Sequence, residues 1–276
     1  RASSCTPRRP TSMSPVFQIL NGTSAEAAAD GGGGDITFPD DFPNSVKHFL
    51  LIGAVGMMVG AGIFLYLSMI RTKASLYHSL AFIMPAISAM SYYAMWTGMG
   101  VEFKTTDTSP RVIFWARYID YVVTVPLLLI QLALIAKADT SAMVASTGNS
   151  VLFVIALLIG AMNVAPFKYM WWFGGVVFAV LIVVQLAGRY ENATDIAKVL
   201  NTIGIVFIVV YPLIWLLGSE GTASLGLSQE VAFLTILDLV TKVGFGLYFL
   251  LNFEAATGDE VGPDGEPLNQ QSQQYV

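Results

Sequence analysis

The chain has 276 residues, of which 55% are apolar and only 12% charged, with a formal net charge of −5 and a mean hydropathy of +0.64. That composition excludes an ordinary soluble domain and points to a polytopic membrane protein held in a lipid bilayer, with no nucleic-acid partner. The single cysteine, Cys5, excludes an internal disulfide and a cysteine metal cluster.

Residues 1–45 contain DGGGGD and PDDFP and are expected to be a disordered segment outside the membrane. The chain starts at Arg1 and Met13 opens MSPVFQIL, so residues 1–12 are read as untranslated sequence or part of a truncated leader. No compact apolar stretch of a cleavable signal peptide precedes the first span. Runs of about 20 apolar residues, the length that crosses a bilayer as a helix, then occur seven times. They are Phe49 to Ile70, Leu76 to Gly98, Pro110 to Ala136, Ala142 to Ala165, Tyr169 to Ala187, Ala197 to Leu217 and Gln229 to Asn252. Short connections between them predict an all-α bundle of seven antiparallel transmembrane helices over residues 46–253. An acidic, Gln-rich tail over 254–276 is expected to be disordered.

Seven spans put the termini on opposite sides. The loops after spans 1, 3 and 5 carry Arg71, Lys73, Lys137, Arg189 and Lys198, against Lys104, Arg111 and Lys168 after spans 2, 4 and 6. The positive-inside bias therefore predicts an extracellular or lumenal N-terminus and a cytoplasmic tail. Asn21 in NGT then faces outside as a glycosylation acceptor, whereas Asn192 in NAT does not. His48 and His78 sit near helix ends with no carboxylate at ligand spacing and are read as interface residues rather than metal ligands. Gly244 and Gly246 form a GxG within a membrane helix, which signals helix packing, not a nucleotide loop.

The seventh span, ILDLVTKVGFGLYFLLNFE, holds Asp238 and Lys242 one helical turn apart. An ionised group in hydrocarbon costs a few kcal/mol, so such residues pair and mark function. The third span carries Arg117, Asp120 and Thr124 on one face, with Gln131 about 16 Å further along the axis. These charges are either an ion-pair network that glues helices together or the surroundings of a lysine amine used as a Schiff base to an aldehyde. Trp171, Trp172, Tyr211 and Trp215 supply aromatic walls for an apolar ligand, although an aromatic stripe also serves ordinary packing.

The motifs ARYIDYVVTVPLLL, YPLIWLLGSEG and LDLVTKVGFG, in this order and at these separations, resemble the microbial (type 1) rhodopsins, with bacteriorhodopsin-like light-driven proton pumps among them. The resemblance implies a seven-helix bundle enclosing a retinal pocket, with all-trans retinal carried by Lys242 as a protonated Schiff base. It implies Asp120 as primary counterion and proton acceptor, Asp238 as second counterion, Arg117 as the mobile cation and Thr124 as a hydrogen-bonding neighbour of Asp120. Tyr92, Tyr121, Leu128, Trp172, Tyr211, Pro212 and Trp215 align with retinal-pocket positions, and Glu220 and Glu230 with an external proton-releasing pair. These two glutamates are alternatively exposed loop acids.

Gln131 stands where efficient pumps have a carboxylic donor, and an amide releases no proton at neutral pH, so slow reprotonation is expected. Thr241 with Tyr211 resembles the Thr/Tyr pair of phototaxis receptors, and Ile208 and Tyr121 replace tryptophans of the pocket. The favoured reading is an outward proton pump. A photosensory rhodopsin or light-gated channel is the second, with a membrane transducer as partner if sensory, and a non-photoactive seven-helix scaffold or transporter the third. An enzyme is not expected; a homo-oligomer, trimeric or pentameric, follows family habit.

Overall fold

A computed structural model describes residues 43–70, 76–104, 111–188 and 194–253. Both terminal segments, Cys5, Asn21, Asn192, Arg71, Lys73 and Arg189 lie outside the described residues. Seven helices follow one another: α1 (Asn44–Ile70), α2 (Leu76–Trp96), α3 (Trp115–Ile135), α4 (Thr140–Met162), α5 (Phe167–Ala187), α6 (Asp195–Leu217) and α7 (Leu227–Leu251). A short antiparallel hairpin of β1 (Glu102–Lys104) and β2 (Arg111–Ile113) joins α2 to α3.

Six of the seven, α1 and α3 to α7, are long and apolar enough to cross a membrane. The seven predicted spans coincide with the seven helices, but α2 falls short of the apolar length needed, because His78, Ser79, Ser88, Ser91 and three tyrosines interrupt its run. The third span begins later than expected. Arg111 to Ile113 pair with the β1 strand, so the helix starts only at Trp115. β-Branched Val112 and Ile113 suit an extended segment.

Caps mark where several helices begin. The Asp139 side chain accepts from the Ala142 N–H at the start of α4, and the Thr194 hydroxyl accepts from the Ala197 N–H at the start of α6. Both leave the following apolar run to form the spanning helix.

The core runs between α3, α4, α5, α6 and α7 and is built from Tyr121, Leu128, Phe153, Ile182, Phe207, Tyr211, Trp215 and Phe245. A second cluster, with Leu50, Met57 and Tyr92, packs α1 against α2 and α7. Glycines on α1 permit the close approach: a Cβ at Gly60 would lie 2.6 Å from Val243, and one at Gly53 would lie 2.4 Å from the Tyr92 ring. Small residues at such contacts let membrane helices pack backbone to backbone. Gly246 does the same against Phe64, so helix packing accounts for that glycine of the GxG pair, whereas a Cβ at Gly244 would meet only the Leu239 carbonyl of its own helix, at 3.7 Å.

Within α7, residues Leu239–Gly244 adopt a π-turn. A wider turn of this kind re-aims the side chains it carries and is frequent at functional sites. Lys242 lies inside it.

Candidate functional site: a buried lysine between two carboxylates

Lys242 enters the bundle from the π-turn of α7 and is 4% exposed. Its Nζ donates to Asp120 Oδ2 at 2.6 Å and to Ser88 Oγ at 2.7 Å, and lies 3.6 Å from Asp238 Oδ1. One cation thus faces two carboxylates in a medium where an unpaired charge is very costly.

Each carboxylate has its own retinue. Asp120 Oδ1 accepts from the Ser88 hydroxyl at 2.8 Å. Asp238 accepts from Tyr92 at 2.7 Å through Oδ2 and from Tyr121 at 2.8 Å through Oδ1. Two phenol donors hold the Asp238 carboxylate in place, whereas Asp120 takes the shortest contact to the amine. Thr124 does not touch the Asp120 carboxylate: its hydroxyl bonds back to the Asp120 backbone carbonyl at 2.9 Å, and so stiffens the turn that carries the acid. Thr241 likewise turns to its own helix, donating to the Leu237 carbonyl at 2.8 Å.

The pocket residues named from the sequence are largely together. Tyr121 and Tyr211 meet edge to face with ring centroids 4.7 Å apart, and the Lys242 Nζ lies 4.8 Å from the centre of the Tyr121 ring. Leu128, Pro212 and Trp215 are buried, and Trp172 donates its indole N–H to the Pro212 carbonyl at 2.9 Å. Trp171 behaves differently, since its side chain is turned largely outward and forms no wall. Between α5 and α6 lies an apolar cleft of about 250 Å³, open on one side at the bundle surface where Val184 and Leu213 are exposed, and lined deeper by Trp172, Ala179, Ile208 and Pro212. An amine, two balancing carboxylates and adjoining apolar walls fit a retinal, which brings an aldehyde and a long polyene.

Toward the hairpin end of the bundle a second polar centre follows. Arg117 lies over the Phe114 ring at 4.8 Å and reaches Glu230 Oε1 at 4.0 Å, while its Nε and Nη2 find no hydrogen-bond partner among the described residues. Glu220 and Glu230 are both buried rather than exposed loop acids. Glu230 Oε2 accepts from the Ser219 N–H at 2.7 Å, and Tyr118 donates to Glu220 Oε2 while accepting from the Trp215 indole at 2.8 Å. Burial, and next the neighbouring Glu230 charge, push the Glu220 carboxyl up to about 8, against the opposing pull of Tyr118, Arg117 and Arg111. Such a group keeps its proton at neutral pH and gives it up when a nearby cation arrives.

Ser88, Tyr118, Arg111 and Lys168 are members of these centres that the sequence reading did not single out. Arg111 and Lys168, counted there only as loop charges, donate to the Glu220 backbone carbonyl at 3.3 Å and 3.2 Å, and Lys168 also to Gly221 at 2.5 Å. Ser88 stands one turn before Tyr92 on α2, a spacing that shares a face and was the available signal. At the opposite end of α3, Gln131 is fully buried, and neither its Nε2 nor its Oε1 has a partner among the described residues.

The bacteriorhodopsin-like protein family matches residues 44–255. Archaerhodopsin-1 from Halorubrum ezzemoulense is 31% identical over 227 residues, spanning 78% of this chain and 87% of that protein. Bacteriorhodopsin from Halobacterium salinarum is 30% identical, spanning 78% and 86%. Among solved structures, thermophilic rhodopsin from Rubrobacter xylanophilus superposes with a TM-score of 0.71 at 29% identity over 77% of this chain and 97% of that one. A cyanorhodopsin from the cyanobacterium Calothrix sp. gives 0.72 at 25% identity, covering 78% of this chain and all of that one. The chain therefore belongs to the bacteriorhodopsin-like family of microbial rhodopsins, seven-helix integral membrane proteins whose membership implies a retinal chromophore.

Proposed function

We propose that the protein is a light-driven outward proton pump in which Lys242 carries all-trans retinal and Asp120 takes the proton from the lysine nitrogen. The observation that carries this reading is the 2.6 Å contact between Lys242 Nζ and Asp120 Oδ2, beside a separate carboxylate that two tyrosines hold in place. When bound, retinal supplies a light-driven change of geometry at the Lys242 nitrogen.

The chain does the rest with proton positions and charge. In the dark, Asp120 and Asp238 together balance the cation on Lys242 and keep its proton in place. Once the proton passes to Asp120, that carboxyl is neutral and no longer attracts Arg117. Arg117 has two nitrogens, Nε and Nη2, without a partner among the described residues and a carboxylate within 4.0 Å at Glu230, so its charge shifts toward the glutamate pair. A cation approaching Glu220 favours the ionised carboxyl, and the proton leaves at the hairpin end. With the N-terminus extracellular, that end faces outward. Gln131 offers no proton, so the lysine nitrogen is recharged from cytoplasmic water, and slowly. Trimers or pentamers would leave this internal path intact.

A photosensor or light-gated channel is the second reading, favoured by the buried Gln131, which has no partner among the described residues. External pH of an unbuffered suspension of retinal-fed cells decides between them. Light-driven acidification abolished by a protonophore supports the pump; a coloured, photocycling pigment without a pH change supports the sensor or channel.

A further inference from the structure

Ser88 makes contacts that ordinary helix packing does not require. Its Oγ is fully buried and lies 2.7 Å from Lys242 Nζ, 2.8 Å from Asp120 Oδ1 and 3.0 Å from the Met84 carbonyl. A serine within a helix often bonds back to the carbonyl four residues earlier. That habit accounts for Met84 and for neither of the other two.

A hydroxyl has one proton to give and two lone pairs to receive with. The ammonium of Lys242 has only protons to give, so Ser88 accepts from it. The serine proton then has two competing acceptors, Asp120 Oδ1 and the Met84 carbonyl. Among the described residues Ser88 is the one side chain that touches both the lysine nitrogen and the Asp120 carboxylate. The other groups facing this centre are Tyr92 from α2, Arg117, Tyr121 and Thr124 from α3, Tyr211 from α6 and Asp238 from α7, and none of them bridges that pair.

We propose that Ser88 is a proton-relay residue of this centre, giving the proton on the Lys242 nitrogen a second route to Asp120 and then holding the acid it has made. The inference rests on the retinal-carrying role of Lys242. On the direct route the N–H bond breaks as an O–H bond forms on Asp120 Oδ2. On the relayed route the N–H bond breaks as an O–H bond forms on Ser88, while the original Ser88 O–H breaks as one forms on Asp120 Oδ1. Serine ends unchanged, the nitrogen has lost one proton and the carboxylate has gained one. The new acid is now a donor toward Ser88, whose own proton turns to the Met84 carbonyl 3.0 Å away. That exchange of partners keeps the proton on Asp120 until Arg117 has moved.

The test uses the full chain reconstituted with all-trans retinal, followed by flash spectroscopy and time-resolved infrared difference spectra. Ser88→Ala should slow loss of the proton from the lysine nitrogen about tenfold, the worth of one good hydrogen bond in the transition state. The carbonyl stretch of protonated Asp120 should move to higher frequency as its acceptor is lost. Ser88→Thr, which keeps the hydroxyl, should return the rate to within about threefold of the original. Wild-type rate and stretch in Ser88→Ala would overturn the proposal, as would slow transfer that threonine does not rescue, which marks packing alone. Should the alanine variant fail to fold, Ser88→Cys, of similar size and a weaker donor, must show the same slowing. A wild-type chain that forms no visible band removes the reading of Lys242 itself, and the relay with it; a normal band with an unaffected Ser88→Ala removes the relay only.

Discussion

Asp120 and Gln131 sit on one helix and both are buried, yet they live in opposite conditions. Asp120 is met by a cation and a hydroxyl within 2.8 Å, whereas Gln131 has no partner at either polar atom among the described residues. A buried amide without partners costs stability, about 1–3 kcal/mol on general grounds. A carboxylate satisfied by an ion pair is held ready instead. On the proposed pumping role, the acceptor half of the proton path has its partners in place at Asp120, while the donor half at Gln131 is left to water. The bundle therefore should transfer the first proton fast and recover the last one slowly.

The comparison breaks most completely at its centre. Lys242→Ala should abolish the visible band that forms with retinal, and a persistent band would remove the lysine from the site. Asp120→Asn leaves the amine beside a neutral amide, and light-driven acidification should fall by at least about a hundredfold, measured as initial rate per pigment. Acidification at an undiminished rate would assign the acceptor elsewhere.

Gln131→Asp sharpens the contrast from the other side. A carboxylic donor at this buried position should accelerate recovery of the ground state at neutral pH by about tenfold or more. Flash photolysis reads it directly, and unchanged recovery would show that the donor half is limited by something other than the missing acid.

Glu220 gives a smaller effect with a definite sign. Its carboxyl is raised from an ordinary value of 4.5 to about 8, so between these values the folded chain binds a proton that the unfolded chain does not. The stabilisation is complete at low pH and is lost as pH rises through about 8. The melting temperature of the wild type should fall by about 10 °C across this window, and Glu220→Gln should flatten the slope. Early proton release should vanish in the same way above about pH 8, where the group is already ionised in the dark. A pH-independent release would clear Glu220 of that role. The smallest expected effect is that of Gly53→Ala, whose added Cβ would meet the Tyr92 ring at 2.4 Å. Overpacking of this kind costs about 1–3 kcal/mol and would disturb the Tyr92 donor to Asp238, visible as a shifted absorption band.

The parts of the site that were legible in the sequence lie within one helix. Asp238 and Lys242, or Arg117 and Asp120, share a face because helical periodicity puts them there, whatever the neighbours do. The hairpin shows the limit even of local reading, since an apolar count extends the third span to Pro110, whereas strand pairing claims Arg111 to Ile113. Glu220 and Glu230 were open to two readings for a related reason: sequence position says nothing of what folds over a loop. Arg111 from β2 and Lys168 from α5 close over the α6–α7 connection and take its carbonyls, so its acid is buried.

Local sequence alone specifies a membrane bundle of seven helices, six of them apolar enough to cross on their own account, and puts an amine and a carboxylate on one turn of the last. Apolar run length and 3.6-residue periodicity are local, and hydrocarbon permits little else than helices. Only the tertiary structure decided that Ser88 bridges residues 32 and 154 positions away, that Tyr92 and Tyr121 pin Asp238, and that Thr124 and Thr241 turn to their own backbones. Those outcomes depend on how each helix is rotated about its axis and how closely its glycines let it approach a neighbour. Both are settled by packing against helices far away in the chain, and no local pattern encodes them.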